Sequence, residues 1–317
     1  MSQPKVSIVV PVYNSGQYVE RCLNSVLNQT HKHTETIFVD DGSTDNSGKI
    51  IDEVAASTPG VIALHQENKG PAAARRTGFL KSTGDYIMFL DSDDTLPNDA
   101  IEYMVSTSLR ENLDAFYGTF NRVIDDKVIA MPPRDFEGVV NRDEMLKNSI
   151  DPNFLYHAAV CFSRRELWDA EMFCDDRNLP SEDVITNVNL VIRCSRIGIY
   201  NKAIYNYHLI DTSLTMTGKY FNQECFKNFF NQLKTVLKDN GKEELTKDCV
   251  RMKEITSFAF MIKDIDKGDD WYKQVLDYNV KNYPRKIKVL HSLLHVPMLL
   301  HWCVNGNRWL KKTFNKE

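Results

Sequence analysis

A chain of 317 residues with 42% hydrophobic content can bury a substantial core and exceeds the usual size of one domain, so a principal domain with an appendage is expected. The net charge is only −4, there are no repeats or low-complexity stretches, and neither a nucleic-acid partner nor a disordered chain is indicated. Seven cysteines lie singly at 22, 161, 174, 194, 225, 249 and 303, and the eight histidines do not pair with them at ligand spacing, which excludes a legible zinc site.

In chain order, residues 5–12 read as a buried strand that ends in the polar break Asn14-Ser15-Gly16. Tyr18, Val19, Cys22, Leu23, Val26 and Leu27 then recur at helical spacing through Gln29. The unit returns as a strand at 35–39, the loop Asp40-Asp41-Gly42-Ser43-Thr44-Asp45, and a helix with the stripe Ile50, Ile51, Val54 and Ala55. A third copy runs from a strand at 61–64 through Asn68-Lys69-Gly70-Pro71 into an alanine-rich helix. The fourth strand, Tyr86-Ile87-Met88-Phe89-Leu90, ends in Asp91-Ser92-Asp93-Asp94. This rhythm predicts an α/β fold with right-handed crossovers and a mostly parallel, Rossmann-like sheet covered by helices on both faces. Ligands of such sheets bind outside the carboxyl ends of the strands, so the loops starting at Asn14, Asp40, Asn68 and Asp91 are expected to crowd one rim.

Side chains alternate along a strand, which puts Asp91 and Asp93 on one face and turns Ser92 away. Adjacent carboxylates repel unless a hard divalent cation sits between them, and Mg²⁺ favours one or two carboxylates plus phosphate oxygens. An ordinary solvated turn uses the same residue types. The loop Asp40-Asp41-Gly42-Ser43 offers acceptors to a base edge or a ribose hydroxyl, or simply caps a helix. Arg75 and Arg76 follow a Gly-Pro helix start, where a forked guanidinium and the helix N-terminus both favour phosphate; a solvated basic face is the alternative. No Gly-x-Gly-x-x-Gly follows the first strand and no Gly-Lys-Ser/Thr loop occurs, so a dinucleotide cofactor or P-loop has no support.

Residues 6–14, 39–45, Asn68-Lys69-Gly70 with Ala74-Arg75, and 89–94 together resemble the successive signatures of the family 2 glycosyltransferases. The likeness is dense over the first third of the chain and has one outpost, Ser181-Glu182-Asp183, similar to the acidic pair that family members place beside the acceptor. It implies a GT-A fold and transfer of a sugar from a nucleotide diphosphate sugar, a UDP-sugar foremost, with inversion at the anomeric carbon. The acceptor it implies is a saccharide or lipid-linked saccharide in surface polysaccharide synthesis. By the same resemblance Pro11, Tyr13, Asp41, Asn68, Arg75, Asp91 and Ser92 would bind the nucleotide sugar, with Asp41 reading the base and Asp91 facing the ribose. Asp93, assisted by Asp94, would hold Mn²⁺ or Mg²⁺. Asp183 would be the general base, with Glu182 its neighbour. One departure stands out: family members often carry Asn where this chain has Arg76.

The residue types suit that chemistry. Negative charge builds on a departing diphosphate, and a metal held by Asp93 would stabilise it. An attacking hydroxyl needs a carboxylate to take its proton, a role open to Asp183. Ser181-Glu182-Asp183 is equally a helix start, with Ser as cap and acids in the first turn.

Strands are expected at 115–120, 127–131 and 158–163, with an extended acceptor-side region from Met131 to Leu155. Tyr156, His157, Tyr205, Tyr207 and His208 are candidates for stacking on a sugar, although aromatics near strands are more often core. The expected boundaries are a catalytic domain over 1–215, divided at 95/96 into nucleotide and acceptor halves, and a helical region over 216–317. In the latter, Phe221, Cys225, Phe229, Leu233 and Leu237 follow a spacing of four, and a second stripe runs from Ile255 to Ile265. Residues 281–317 hold eight Lys or Arg against one acid, so this segment carries +7 and the rest of the chain −11. Leu290, Leu293, Leu294, Met298, Leu299, Trp302 and Trp309 interleave with that charge, the pattern of an interfacial helix on an anionic membrane. The competing expectation is a helix packed on the catalytic domain or on a second subunit. The apolar run is too short to span a bilayer. With no secretory leader pattern at the start, the expected setting is a reducing cytoplasm, at the inner face of the membrane if the tail binds it.

Two rival readings use the same acids. A nucleotidyltransferase would want paired carboxylates and a metal, yet also an early glycine-rich basic loop, which is missing. A degenerate nucleotide-sugar binding module would have lost Asp91, Asp93 or Asp183, and all three are present.

Overall fold

The computed structural model describes residues 3–134, 136–150, 161–174, 179, 181–210, 222–260, 266 and 268–295. Among these the chain forms two compact units. One holds the described residues through Met145, those of 161–174 and those of 182–210; the other holds 146–150, 179, 181 and 222–295.

The first unit opens as expected. Strands β1 (Val6–Val12), β2 (Thr34–Asp40), β3 (Val61–His65) and β4 (Tyr86–Phe89) alternate with helices α1 (Val19–Leu27), α2 (Ser47–Ser57) and α3 (Pro71–Lys81). Every residue of β1 is buried, the continuous apolar reading of a strand covered on both faces. The four strands pair in parallel in the order β3-β2-β1-β4. Val6, Ile8, Val10 and Val12 face a core shared with Cys22, Leu23 and Val26 of α1, Ile51 of α2, and Ile101, Met104 and Val105 of α4 (Ala100–Glu111). The opposite face takes α3, whose Gly78 lies so close to β1 that a Cβ there would stand 2.3 Å from Val9 Cγ1. Phe89 continues that face with edge contacts to Trp168 and Phe173, at ring-centroid distances of 5.0 and 5.7 Å.

The far half of the sheet differs from the expectation of a mostly parallel array. Strands β5 (Ala115–Ile124), β6 (Lys127–Ala130), β7 (Gly138–Val140), β8 (Cys161–Arg164) and β9 (Ile197–His208) extend the order to β4-β8-β5-β9-β7, with β6 paired to β5. Here only β5 and β9 are parallel; β4–β8, β5–β8, β5–β6 and β7–β9 are antiparallel. The region from Met131 to Leu155, expected to be extended, contains β7 and helix α5 (Arg142–Ile150); its residues 151–155 lie outside the described residues. Helix α6 (Glu182–Arg193) buries Val184, Ile185, Val188, Leu190 and Val191.

The second unit is helical: α7 (Gln223–Asp239), α8 (Glu243–Phe260), α9 (Asp270–Leu276) and α10 (Arg285–Leu294). In α7 the buried stripe is Phe226, Phe229, Phe230, Leu233 and Leu237. Mixed three- and four-residue steps keep a 3.6-residue helix facing one way, whereas the expected spacing of four drifts; Phe221 lies outside the described residues. The buried Glu254 accepts hydrogen bonds from Lys234 Nζ (2.7 Å), Trp271 Nε1 (2.8 Å) and Tyr278 O–H (2.5 Å). In α10, Ile287, Leu290, His291 and Leu294 are buried within the unit, with the His291 ring 2.9 Å from Val275 O. Ile287, Leu290 and Leu294 of this part of the basic tail thus pack on protein, whereas Val289 is 42% exposed. Residues 296–317 lie outside the described residues. Among the described residues no helix is long and apolar enough to cross a membrane.

Candidate active site

From β1 the chain crosses to β2 on one side, while β4 joins β1 on the other. That reversal of strand order is where an open α/β sheet leaves a crevice beyond its carboxyl ends. Tyr13 follows β1, Asp41 follows β2, residues 66–70 follow β3, and Asp91 follows β4.

The rim loops are tied together. Asn14, at φ 49, receives the Thr44 N–H on Oδ1 (2.8 Å) and gives its own N–H to Ser43 Oγ (3.0 Å). Ser15 N–H donates to Ser47 Oγ (2.8 Å) and Gly16 N–H to Asp45 Oδ2 (3.0 Å). Ser92, expected at the nucleotide, is 6% exposed and gives its hydroxyl to Ser15 Oγ at 2.8 Å, so it fastens the acidic loop to the start of α1. Pro11 is buried in β1, while Tyr13 is half exposed on the rim. Asn68 is half-buried in the loop between β3 and α3.

Asp41 is buried, and three N–H groups converge on it: Gln66 Nε2 (2.7 Å) and Lys69 N (2.9 Å) on Oδ1, and Gly70 N (2.7 Å) on Oδ2. The last of these depends on Gly70 at φ 95, a conformation that side-chain-bearing residues rarely adopt. Its neighbour Asp40 instead holds its own loop, taking the Ser43 N–H (2.9 Å) and lying 3.1 Å from His65 Nδ1.

Arg75 sits one turn into α3 and forks between two segments. Its Nη2 donates to Asp91 Oδ1 and its Nη1 to Glu182 Oε1, both at 3.0 Å. Burial works against the guanidinium charge, yet the carboxylates of Asp91 and Glu182 overcome it and raise the group above its ordinary value. Glu182 is itself raised, by burial first and by the charge of Asp183 next, with Arg75 opposing. Asp183, half-buried beside it in the first turn of α6, completes an acidic pair at that helix start.

The two remaining acids of the β4 loop part company. Asp93 is partly exposed, and burial together with Asp91 raises it to about 6. Its carbonyl accepts from Arg21 Nη2 at 2.6 Å, and the Cys22 thiol lies 3.8 Å from the Asp91 carbonyl, so α1 grips the loop by its backbone. Asp94 was expected beside Asp93 at the metal. Instead it is 1% exposed, and its oxygens are engaged by the Tyr205 hydroxyl (2.7 Å) and the His208 N–H (2.7 Å) of β9. Burial, then Asp91 and Asp93, push Asp94 up to about 8. Tyr205 also receives the Asp91 N–H at 3.2 Å, and Thr95 bridges to Asn206, which fastens the loop to β9. Burial, then the charge of Arg21, lowers the His208 ring to about 4.

Arg21, Gln66 and Tyr205 are thus the site's unforeseen supports. Tyr205 had been weighed as core against ligand, and it is a core residue, 2% exposed, whose hydroxyl reaches the acidic loop. Arg76 is half-buried on α3; Tyr156 and His157 lie outside the described residues.

A mixed sheet whose parallel half ends in an acidic loop, flanked by helices on both faces, is the GT-A type of α/β fold. Residues 1–349 of S. aureus TarS, solved in complex with UDP-GlcNAc, superpose with a TM-score of 0.65 over 98% of this chain and 92% of that one, at 16% identity. A Pyrobaculum calidifontis mannosyltransferase, PcManGT, in complex with GDP-Man and Mn²⁺, gives a TM-score of 0.53 over 97% and 88%, at 15% identity. In sequence, a Bacillus subtilis protein described as an uncharacterized glycosyltransferase, EpsJ, is 30% identical over 217 residues. That match covers 67% of this chain and 63% of EpsJ. The model of glycosyl transferase family 2 matches residues 7–172, and the chain belongs to that family.

Proposed function

We propose that this chain is an inverting, metal-dependent glycosyltransferase that moves a sugar from a UDP-sugar to a saccharide or lipid-linked saccharide acceptor in surface polysaccharide synthesis. The observation that carries the reading is the double ion pair of Arg75, which sets the donor-side loop at Asp91 and the acidic pair at Glu182 on one guanidinium. A diphosphate site and a general base must lie that close for a hydroxyl to displace a sugar directly. The UDP-GlcNAc bound to TarS supports the choice of donor, and the basic residues of 281–317 support a lipid-linked acceptor with contact at an anionic membrane surface.

The donor set fits a hard divalent cation. Asp93 and Asp91 repel one another across the loop, the condition a cation relieves, and Asp93 is partly exposed. Among the described residues no three ligating side chains converge. Mg²⁺ and Mn²⁺ suit such a site, because one or two carboxylates suffice when diphosphate oxygens and water supply the rest. When bound there, the metal would stabilise the charge that builds on the leaving diphosphate.

The chain's own residues do the remaining work. Asp93 would hold the metal on the diphosphate, Asp91 faces the ribose, and Asp41 accepts from the base. Tyr13 and Pro11 shape the base pocket, while Asn68 and Arg75 line its diphosphate side. Asp183 takes the proton of the attacking hydroxyl as the new glycosidic bond forms opposite the departing UDP, and Glu182 shares the acceptor side with it. Asp94 and Ser92 act by fixing the loop rather than by touching the donor.

The test is a thermal-shift panel of nucleoside diphosphates and nucleotide sugars, with and without Mn²⁺, on the wild type and on Asp93→Ala. A ligand that binds only the native state raises its apparent stability by mass action. The reading expects a metal-dependent rise with uridine ligands that Asp93→Ala abolishes. No rise with any nucleotide overturns it.

A further inference from the structure

Gln66 and Thr77 belong to none of the acidic or glycine-containing motifs, yet they form a two-bond relay to Asp41. The Thr77 hydroxyl lies 2.6 Å from Gln66 Oε1, and Gln66 Nε2 lies 2.7 Å from Asp41 Oδ1. The direction of both bonds follows from the carboxylate. It can only accept, so the amide NH₂ of Gln66 must face it; the amide oxygen then faces α3, and the hydroxyl of Thr77 must donate.

A carboxylate offers about four acceptor positions. Gln66 and Lys69 take both on Oδ1, and Gly70 takes one on Oδ2. Among the described residues that leaves one acceptor, on Oδ2, of a side chain only 3% exposed. A single acceptor whose direction is fixed by three donors cannot adapt to a base that presents a lone pair.

We propose that Thr77 and Gln66 are positioning residues for nucleobase selection: by holding Oδ1 they keep the last acceptor of Asp41 directed for a ring N–H. Uracil carries such an N–H at N3, whereas cytosine carries a lone pair there. The inference rests on the reading of Asp41 as the base contact. Removing the Thr77 hydroxyl frees the Gln66 amide to turn, which releases one bond on Oδ1 and lets the carboxylate rotate. Binding of every nucleotide through its diphosphate continues, but the preference for uracil falls.

The experiment compares UDP and CDP affinities by calorimetry, in the presence of Mn²⁺, for the wild type, Thr77→Val and Thr77→Ser. The wild type is expected to favour UDP by about tenfold or more, because a buried acceptor facing a lone pair leaves a polar group unpaired. Thr77→Val should cut that ratio about fivefold, chiefly through weaker UDP binding, and Thr77→Ser, which keeps the hydroxyl, should stay within about twofold of the wild type. A general loss of folding would weaken both nucleotides alike and leave the ratio standing, which overturns the proposal. A selective wild type whose ratio survives Thr77→Val overturns the relay and leaves the Asp41 reading intact. Equal binding of UDP and CDP by the wild type overturns both.

Discussion

Arg75 and Glu182 are separated by 107 positions in the chain and joined by a 3.0 Å ion pair whose other arm, also at 3.0 Å, holds Asp91. The bridge therefore ties a loop of the parallel half of the sheet to the helix that lies between β8 and β9 of the other half. A lysine cannot reproduce it, because an ammonium is a point donor and not a planar fork. Arg75→Lys is expected to lower turnover by at least about tenfold, since misplacement of reacting groups by a fraction of an ångström is costly. Arg75→Met leaves Asp91 and Glu182 facing each other without a cation. The destabilisation should be about 2 kcal/mol, below the range for fully buried pairs because both carboxylates keep some solvent. Chemical denaturation of both variants, beside steady-state rates for Arg75→Lys, checks the pair of expectations.

Asp183→Asn keeps the size and the hydrogen-bonding reach of the side chain and removes its capacity to take a proton. A positioned base contributes about 10²–10⁴-fold in rate. The turnover number should fall by that factor while the UDP dissociation constant stays within about threefold of the wild type. Equal losses in both would place Asp183 in donor binding instead.

Glu35 gives the fold a pH dependence that is separate from catalysis. Burial alone would raise its carboxyl, but hydrogen bonds from Lys5 Nζ (2.6 Å), Ser7 Oγ (2.6 Å) and Thr83 N (2.6 Å) outweigh that and hold it at about 2, against an ordinary value of 4.5. A depressed folded-state value means that the stabilisation is complete above about pH 4.5 and is lost as pH falls toward 2. Wild-type stability should thus drop through that window, by about 1–3 kcal/mol from this group, while Glu35→Gln starts lower at pH 7 and changes less across it. Urea denaturation at pH 7, 4 and 3 separates the two curves.

What could be read in the sequence was local. The four strands, three helices and acidic loop of the first third announce themselves by apolar periodicity and turn residues within a dozen positions. In the other half, β5, β6 and part of β8 were expected as strands, but β7, only three residues long, and β9 were not, and the pairings of β8 and β7 join residues far apart in sequence. Helix α5 escaped because its Arg-Asp-Glu-Met-Leu-Lys-Asn-Ser-Ile carries too few apolar positions to mark a face. The same limit hid the supports of the site. Arg21 meets Asp93 across 72 positions and Tyr205 meets Asp94 across 111, so neither contact leaves a spacing to recognise. Asp94 looked like a metal ligand because it stands beside Asp93; only the fold turns its carboxylate into β9.

That turn makes Tyr205 the sharpest probe of the loop's support. Its hydroxyl donates to Asp94 Oδ2 and accepts the Asp91 N–H, so one oxygen anchors both ends of the acidic segment. Tyr205→Phe fills the same volume and removes only that oxygen. It leaves Asp94, 1% exposed, with the His208 N–H as its remaining partner among the described residues, and it leaves the Asp91 N–H unmatched. A buried polar group stripped of its partner costs about 1–3 kcal/mol, so thermal denaturation should show a lower midpoint. Because Asp91 then moves relative to Arg75, Mn²⁺-dependent UDP binding should weaken by about fivefold or more, although Tyr205 lies on a strand of the acceptor half. A stability loss with unchanged UDP affinity would mean that the clamp on β9 serves the fold alone.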